Sequence, residues 1–338
     1  MTTSSEIHTT TLIVIIPAIF VLLLGYSAGR AKKFDANQVK GINELVLDFA
    51  LPASLFVGIA GIKHAYLTEY LTESLSFFLT ILMVFSIFYL LALVIGKFLL
   101  HLNSNSAALF ALGSSFPSVS FFGPSILGGM FGVSDAAIAI TSGAIIGNLI
   151  IVPISVLILE NSRIRESGTS DSEFTNTTTT NPKGRKVIIQ ALVCTGKAPY
   201  VWAPVVGLVL VLVGVPLPSL LQSMFSLIGQ AASGVALFVA GLLLAAHKVR
   251  LSKVVLTNAA LKSFGEPSLM LFLVLMFGLT HLLTAEAIMT VALPAGTIAT
   301  ILAGRYKVYE SGAASNLILT SFLMIGVLPL FQYFDNML

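Results

Sequence analysis

Two prolines interrupt membrane-length apolar stretches near their middles, and a chain with such breaks can fold in only a few ways. Pro117 lies within the stretch 106–131, and Pro294 lies within 284–304. A helix rises about 1.5 Å per residue, so each break falls close to the middle of a hydrocarbon core about 30 Å thick. Proline ends the helical hydrogen bonding, and lipid offers no partner for the freed backbone groups. A break at that depth is stable only where protein covers it or where it lines a polar cavity.

The composition indicates a membrane protein. Hydrophobic residues make up 56% of the 338 residues and charged residues only 10%, whereas soluble domains carry about 25% charged residues. Ten stretches have the length and hydrophobicity of transmembrane helices: 11–29, 39–61, 74–100, 106–131, 136–159, 199–217, 220–245, 254–280, 284–304 and 312–334. We therefore predict an all-α polytopic protein with ten transmembrane helices in the lipid bilayer.

Several function classes are excluded by what the sequence lacks. One cysteine, Cys194, cannot form an intramolecular disulfide or a Cys-based metal cluster. There is no dinucleotide, P-loop or HExxH zinc motif, which argues against an ATP-driven pump and a membrane protease. The net charge of +3 indicates no nucleic-acid partner. We expect neither an enzyme nor a cofactor or metal site.

Basic residues are distributed unevenly between the loops. Fifteen lysines and arginines lie in or beside the loops after the odd-numbered stretches, against Lys63 alone in the even-numbered loops. Cytoplasmic loops carry the excess of Lys and Arg. The pattern predicts a protein of the cytoplasmic (inner) membrane with both termini on the outer side. It also requires two five-helix halves of opposite orientation.

The two halves resemble each other weakly. Three pairs of positions match in order at offsets of 176 to 182 residues: Pro52–Gly234, Pro117–Pro294 and Pro153–Pro329. We predict an N-terminal five-helix repeat over 1–159, a cytoplasmic linker over 160–186 and a C-terminal five-helix repeat over 187–338. The polar composition of the linker is typical of a flexible segment. An interfacial helix is expected over 185–197.

Each break exposes chemistry suited to a small anion. The second half of an interrupted helix begins with unpaired N–H groups that carry about half a positive elementary charge. Such ends can hold an anion near the membrane midplane. The candidate substrate-binding residues are Pro117, Ser118, Ser120, Gly123, Pro294, Gly296, Thr297 and Thr300.

An alternative interpretation stays open for these residues. The prolines could merely kink their helices, and the hydroxyls could bond the carbonyls four residues earlier. Pro124 is expected in the first turn of the second half of its helix, where its missing N–H costs nothing.

Asp48 is a candidate for ion coupling. It lies eight residues after Lys40, which places it about 12 Å into the membrane. Spacing by four puts Glu44, Asp48 and Pro52 on one helix face. A buried acid at that depth could carry a proton or bind Na⁺, or it could make a structural hydrogen bond or ion pair.

Further polar candidates lie in later stretches. Lys262 and Glu266 are four apart, so Lys262 either offers a positive charge to a dicarboxylate or pairs with Glu266 while extending towards the cytoplasm. Asn148, Asn316 and Gln230 are expected to be buried amides that join helices or contact the ligand.

Four segments give the chain a resemblance to the auxin efflux carrier family of membrane transporters, and in particular to its malonate-transporter-like bacterial members. They are LVLDFALPASLF (45–56), SSFPSVSFFGPSIL (114–127), ALFVAGLLL (236–244) and ALPAGTIATILAGRY (292–306). The resemblance implies a ten-helix fold of two inverted five-helix repeats, like that of bile acid sodium symporters. Broken helices 4 and 9 would cross at their unwound centres. Helices 1, 2, 6 and 7 would form a scaffold for a transport bundle made of the others.

The resemblance implies alternating-access transport of malonate or a related carboxylate, coupled to H⁺ or Na⁺. Two other functions stay open: efflux of a weak organic acid such as auxin, and anion sensing without transport. A homodimer formed through a scaffold face also stays open.

Overall fold

The structure is a computed structural model that describes residues 4–61, 67–167, 199–246, 250–277 and 281–335. In the first half the helices are α1 (Ser4–Arg30), α2 (Ala36–Leu45), α3 (Leu51–Ala60), α4 (Leu67–Val94), α5 (Ser104–Ser115), α6 (Val119–Phe131), α7 (Val133–Ile146) and α8 (Val152–Ser167). In the second half they are α9 (Pro199–Val213), α10 (Ser219–Gly229), α11 (Ala231–Ala245), α12 (Lys253–Ala260), α13 (Glu266–Phe277), α14 (His281–Ala292), α15 (Thr297–Tyr306) and α16 (Glu310–Asp335).

Turns of π-helix adjoin several of these helices. Val46–Ala50 joins α2 to α3, Gly147–Ile151 joins α7 to α8, and Leu261–Gly265 joins α12 to α13. Ile95–Leu99 extends α4. A π turn inserts an extra residue and rotates the helix beyond it, so the side chains on either side no longer follow one face.

The protein is an all-helical polytopic membrane protein. Five helical stretches of the described chain are long and apolar enough to cross a bilayer: Ala36–Ala60, Leu75–Leu99, Ser219–Ala245, Lys253–Phe277 and Glu310–Asp335. Shorter apolar helices accompany them, among them Val119–Phe131 and Leu282–Ala292, which flank the two proline breaks. Many large apolar side chains face outward, such as Phe20 and Phe98, as expected of a surface in contact with lipid.

Helix packing separates two groups. In the first, α1 packs along α11, and α3 packs against α9 and α10. In the second, α4 packs against α5 and α13, while α16 packs against α12, α14 and α15. Helices α6 and α7 contact both groups, through α11 and α3 respectively.

Glycines allow the closest helix contact of the first group. A Cβ added at Gly25 would lie 2.1 Å from the carbonyl oxygen of Phe238, and one at Gly241 would lie 2.1 Å from that of Leu22. Helices α1 and α11 therefore touch backbone to backbone, as small residues permit in membrane proteins.

The predicted linker 160–186 falls mostly outside the described residues. Its first part continues α8 as far as Ser167. The predicted interfacial helix 185–197 lies entirely outside them.

Candidate substrate site at two interrupted helices

Both proline breaks are present as true interruptions. Helix α5 ends at Ser115 and α6 begins at Val119; α14 ends at Ala292 and α15 begins at Thr297. Phe116 adopts an extended conformation, with φ −121° and ψ 110°. A residue before proline is pushed out of the helical region in this way.

The two breaks meet and satisfy each other's backbone. Ser118 N–H donates to the carbonyl of Pro294 at 2.8 Å, and Gly296 N–H donates to that of Phe116 at 2.7 Å. These bonds form an antiparallel bridge between Pro117 and Ala295. Because proline has no N–H, the neighbouring residues supply both donors.

Gly296 favours this close approach because it has no side chain. A Cβ added there would lie 3.0 Å from the carbonyl oxygen of Phe116. The small size of Gly296 therefore lets the second break lie against the first.

Helix α16 makes hydrogen bonds with backbone groups near both breaks. The Thr320 hydroxyl accepts a hydrogen bond from Ala295 N–H at 3.1 Å. The Asn316 side-chain amide donates to the carbonyl of Gly113, near the end of α5, at 3.0 Å. One continuous helix thus fixes the end of α5 and the segment that follows α14.

Lys262 binds the end of α14. Its ammonium group donates to the carbonyl of Val291 at 2.9 Å and pairs with the Glu266 carboxylate. Both side chains are buried, with exposures of 1% and 0%. The i,i+4 pair is therefore present, but Lys262 points to the break and does not extend to the cytoplasm. A positive charge is favourable at the C-terminal end of a helix.

The N-terminal ends of α6 and α15 differ from the C-terminal ends of α5 and α14. No described side chain caps either helix at Ser118 or Gly296. Side-chain donors thus occupy the C-terminal ends of the first half-helices, while the N-terminal ends of the second half-helices have no side-chain cap among the described residues. The electrostatic balance at the crossing favours a negatively charged ligand.

Two hydroxyls at the crossing differ from others nearby. Ser114 and Ser115 donate to the carbonyls four residues earlier, at 3.0 Å and 2.8 Å. The oxygens of Ser118 and Thr300 are buried without a hydrogen-bond partner among the described residues. The alternative in which every hydroxyl bonds its own helix therefore does not apply to Ser118 and Thr300.

A small cavity of about 90 Å³ lies at the crossing, several times the ~10–15 Å³ needed to hold one water. It is lined by Asn43, Leu47, Phe116, Pro117, Ser118, Val119, Ser120, Phe121, Asn148, Gly296, Thr297, Ile298 and Ile301. A second cavity, of about 190 Å³, is lined by Leu243, Leu244, Thr297, Thr300, Ile301, Gly304, Ala314 and Leu317. Thr297 and Ile301 are common to both.

Comparison with known proteins assigns the family. Residues 10–332 match the family described as "Membrane transport protein". The "Uncharacterized transporter YfdV" of Escherichia coli (strain K12) is 31% identical over 324 residues, which cover 96% of this chain and 97% of YfdV. The proteins of that name from Escherichia coli O157:H7 and Shigella flexneri match equally well. This chain belongs to the auxin efflux carrier family. It is a membrane transport protein and not an enzyme.

Most predicted residues of this carrier gather at the crossing. Pro117, Ser118, Ser120, Gly296, Thr297 and Asn148 line the smaller cavity, and Thr300 lines the larger one. Pro294 contributes its carbonyl to the bridge. Gly123 lies elsewhere, because a Cβ added there would lie 2.8 Å from Ile140 in α7.

The predicted common face of Glu44, Asp48 and Pro52 does not form. Pro52 is buried, whereas Asp48 and Glu44 are exposed. The π turn Val46–Ala50 contains Asp48 and shifts it away from the face of Pro52. Glu44 pairs with Lys40 at 3.7 Å. Asp48 is not among the described residues that line either cavity.

Two other expectations are wrong. Gln230 is exposed and not buried, since it stands at the joint between α10 and α11. Pro124 lies inside α6 and not in its first turn, because the helix resumes at Val119, immediately after the bridge. Its missing N–H leaves the Ser120 carbonyl, at the cavity, without its i+4 donor.

The two asparagines among the candidates hold backbone carbonyls. The Asn148 amide donates to the carbonyl of Ala144 at 2.8 Å, from within the π turn that joins α7 to α8. Asn316 binds across helices, and its side-chain oxygen has no partner among the described residues.

Sequence reasoning missed three polar residues of this carrier. Asn43 lines the smaller cavity. Asn258 accepts a hydrogen bond from Ser114 at 2.7 Å and donates to the Tyr309 hydroxyl at 3.4 Å. Glu286 is buried in α14. Each lies in or beside an apolar stretch and could have been noticed, but what each side chain faces depends on how distant parts of the chain pack together.

Tyr309, in the loop between α15 and α16, is the last member of the hydrogen-bonded series Ser114, Asn258 and Tyr309. Burial raises its pKa to about 12, although the hydrogen bond with Asn258 opposes the shift. Tyr309 therefore stays neutral at physiological pH and serves as a hydrogen-bonding group.

Proposed function

We propose that this protein is a secondary active transporter of small organic anions, malonate or a related carboxylate, across the cytoplasmic membrane. The observation that carries the proposal is the asymmetry of the crossing. Two open helix N-termini and the unpaired hydroxyl of Ser118 meet at a small cavity, while Lys262 and Asn316 occupy the opposite helix ends. An anion is the ligand that such an arrangement stabilises.

The proposed architecture has ten transmembrane spans in two inverted five-helix repeats, 1–159 and 187–338, joined by a cytoplasmic linker over 160–186. Both termini lie on the outer side. The crossing of spans 4 and 9 supports this arrangement, as does the excess of basic residues in the odd-numbered loops.

Alternating access would proceed by movement between the two groups of helices. The first group corresponds to spans 1, 2, 6 and 7, and the second carries the crossing. Asn43 and Ile301, which line the smaller cavity, lie three and four residues along the chain from Lys40 and Arg305 respectively. The charge pattern assigns Lys40 and Arg305 to the cytoplasmic side. If this proposed orientation is right, we infer that the smaller cavity lies on the cytoplasmic side of the crossing.

Substrate contact is assigned to the residues at the crossing: Pro117, Ser118, Ser120, Pro294, Gly296, Thr297 and Thr300. Lys262 would act on the ligand through the end of α14, since it already binds Val291 and Glu266. A carboxylate would thus be held by backbone N–H groups and hydroxyls.

The test is uptake of labelled malonate into proteoliposomes under imposed pH and Na⁺ gradients in turn. Accumulation driven by one gradient is expected and identifies the coupling ion. Export driven from loaded vesicles would support efflux of a weak acid instead. Malonate binding without movement in either direction would indicate a sensor and overturn the proposal.

A further inference from the structure

Glu286, in α14, is a buried acid. Its exposure is 1%, and neither carboxylate oxygen has a hydrogen-bond partner among the described residues. The Thr290 hydroxyl donates to the backbone carbonyl of Glu286 at 2.6 Å and not to its carboxylate. An ionised carboxylate in such a place is costly, which favours its neutral form.

A second acidic group lies on a helix that packs against α14. Asp135, in the first turn of α7, carries the same charge as an ionised Glu286 would. Asp135 is partly exposed, unlike Glu286. The two acids therefore form a pair in which one member reaches solution and the other is enclosed.

Four described ionisable groups on elements packed against α14 have other partners. Lys262 and Glu266 pair with each other at the opposite end of α14. Asp335, in α16, receives a hydrogen bond from Gln332 at 3.4 Å. Tyr89, in α4, is hydrogen-bonded with Ser155 at 2.9 Å. Among the described residues, no cation makes an ion pair or a hydrogen bond with the Glu286 carboxylate.

We propose that Glu286 binds a proton in this state and that Asp135 is the group through which this proton exchanges with the outer solution. The carboxyl group releases or takes up one H⁺, and no other co-reactant is required. Its role as the coupling site rests on the proposed transport function. The site then replaces Asp48, which is exposed, as the proton carrier.

The position of Glu286 connects it to the substrate site. It lies eight residues before Pro294 on the half-helix whose other end reaches the crossing, a distance of about 12 Å along the axis. A charge that appears at Glu286 would disturb the packing of α14 against α6 and α7. Protonation and anion binding would thus bias the same rigid element.

Carbodiimide labelling tests the protonation directly. Dicyclohexylcarbodiimide reacts with protonated carboxyl groups in apolar surroundings, and peptide mass spectrometry of the purified full-length protein locates the adduct. Labelling of Glu286 is expected, decreasing as the pH rises. Glu266 is the matched control: it is equally buried but paired with Lys262, so it should remain unlabelled.

Infrared spectroscopy provides a second measurement that does not depend on reagent access. The wild-type protein should show a carboxylic-acid C=O band that Glu286→Gln lacks. Absence of both this band and the Glu286 adduct would overturn the assignment.

Transport separates the coupling role from the proposed function. Glu286→Gln should retain malonate exchange between equal concentrations and lose accumulation driven by a pH gradient. Glu44→Gln, an exposed control, should retain both. If Glu286→Gln still accumulates malonate under the pH gradient, Glu286 is not the coupling site. If the wild-type protein moves no malonate, the proposed substrate fails while the labelling and infrared results stand.

Discussion

At the residue scale, the hydroxyls near the crossing are of two kinds. Some donate to a carbonyl of their own helix, and others have no hydrogen-bond partner among the described residues. Ser115 donates to Ala111 at 2.8 Å, whereas the Ser118 oxygen, three residues later, is buried without a partner among the described residues. A buried polar group without a partner costs free energy unless a ligand or water satisfies it. Ser118 is therefore the single side chain that we most expect to contact the substrate.

Ser118→Ala should weaken substrate binding without harming the fold. The loss of one hydrogen bond is worth about 1 kcal/mol, which corresponds to about a fivefold rise in the KM for malonate uptake. Ser115→Ala is the matched control and should leave KM unchanged. An unchanged KM for Ser118→Ala would remove Ser118 from the site.

Lys262→Met should destabilise the protein strongly. Removing the lysine leaves Glu266 buried and uncompensated, a change that typically costs about 3–5 kcal/mol. The double variant Lys262→Met with Glu266→Gln should recover much of the thermal stability in detergent, because the unpaired charge is gone. It should still transport poorly, since Val291 has lost its donor. Full activity of the double variant would contradict a role for Lys262 at the break.

At the scale of helices, the apolar stretches predicted most of the elements because length and hydrophobicity suffice to recognise a membrane helix. The breaks at Pro117 and Pro294 were predicted because each proline lies near the middle of an apolar stretch, whereas Pro124 shows that proline is also accommodated inside a helix. The π turns were not predicted. No local sequence signal predicts the π turn Val46–Ala50. Its extra residue moves Asp48 away from the helix face that we predicted for it.

The partners of the break were also beyond sequence reasoning. Asn316 reaches Gly113 across 203 residues of chain, and Ser114 reaches Asn258 across 144. Such pairings depend on how helices pack, which one sequence does not reveal. The acid at Glu286 could have been noticed, but its lack of a partner could not.

Gly241→Ala should disrupt the contact between α1 and α11. The new Cβ would lie 2.1 Å from the carbonyl oxygen of Leu22, so the helices must separate, at a cost of about 1–3 kcal/mol. Gly234→Ala, on the same helix, places its Cβ in open space and should be tolerated. Thermal unfolding of both variants in detergent measures the difference; equal melting temperatures would refute this packing.

At the scale of the whole molecule, two groups of helices share a boundary, and α6 and α7 contact both. The crossing belongs to the group that contains α16, which binds both breaks. Movement of that group would carry both breaks with it, relative to the cavity-lining residues Asn43 and Leu243 of the other group. Transport by rocking of one group against the other follows from this arrangement and from the proposed function.

Membrane topology provides a test at the same scale. In a Cys194→Ser background, Ser5→Cys should react with a membrane-impermeant maleimide added to intact cells, because we place the N-terminus outside. Thr178→Cys, in the predicted linker, should react only after the cells are opened. The reverse pattern would invert the orientation and, with it, the side to which the smaller cavity opens.

The bonds between the two breaks have a consequence for how such a carrier could be redesigned. The proposed preference for negative charge resides in the uncapped main-chain N-terminal ends of α6 and α15, which substitution of side chains does not remove. Side chains around the smaller cavity, such as Asn43 and Ser120, set only its size and hydrogen-bonding pattern. Mutagenesis there should therefore change which acid is accepted, while conversion to a carrier of cations would require rebuilding the backbone itself.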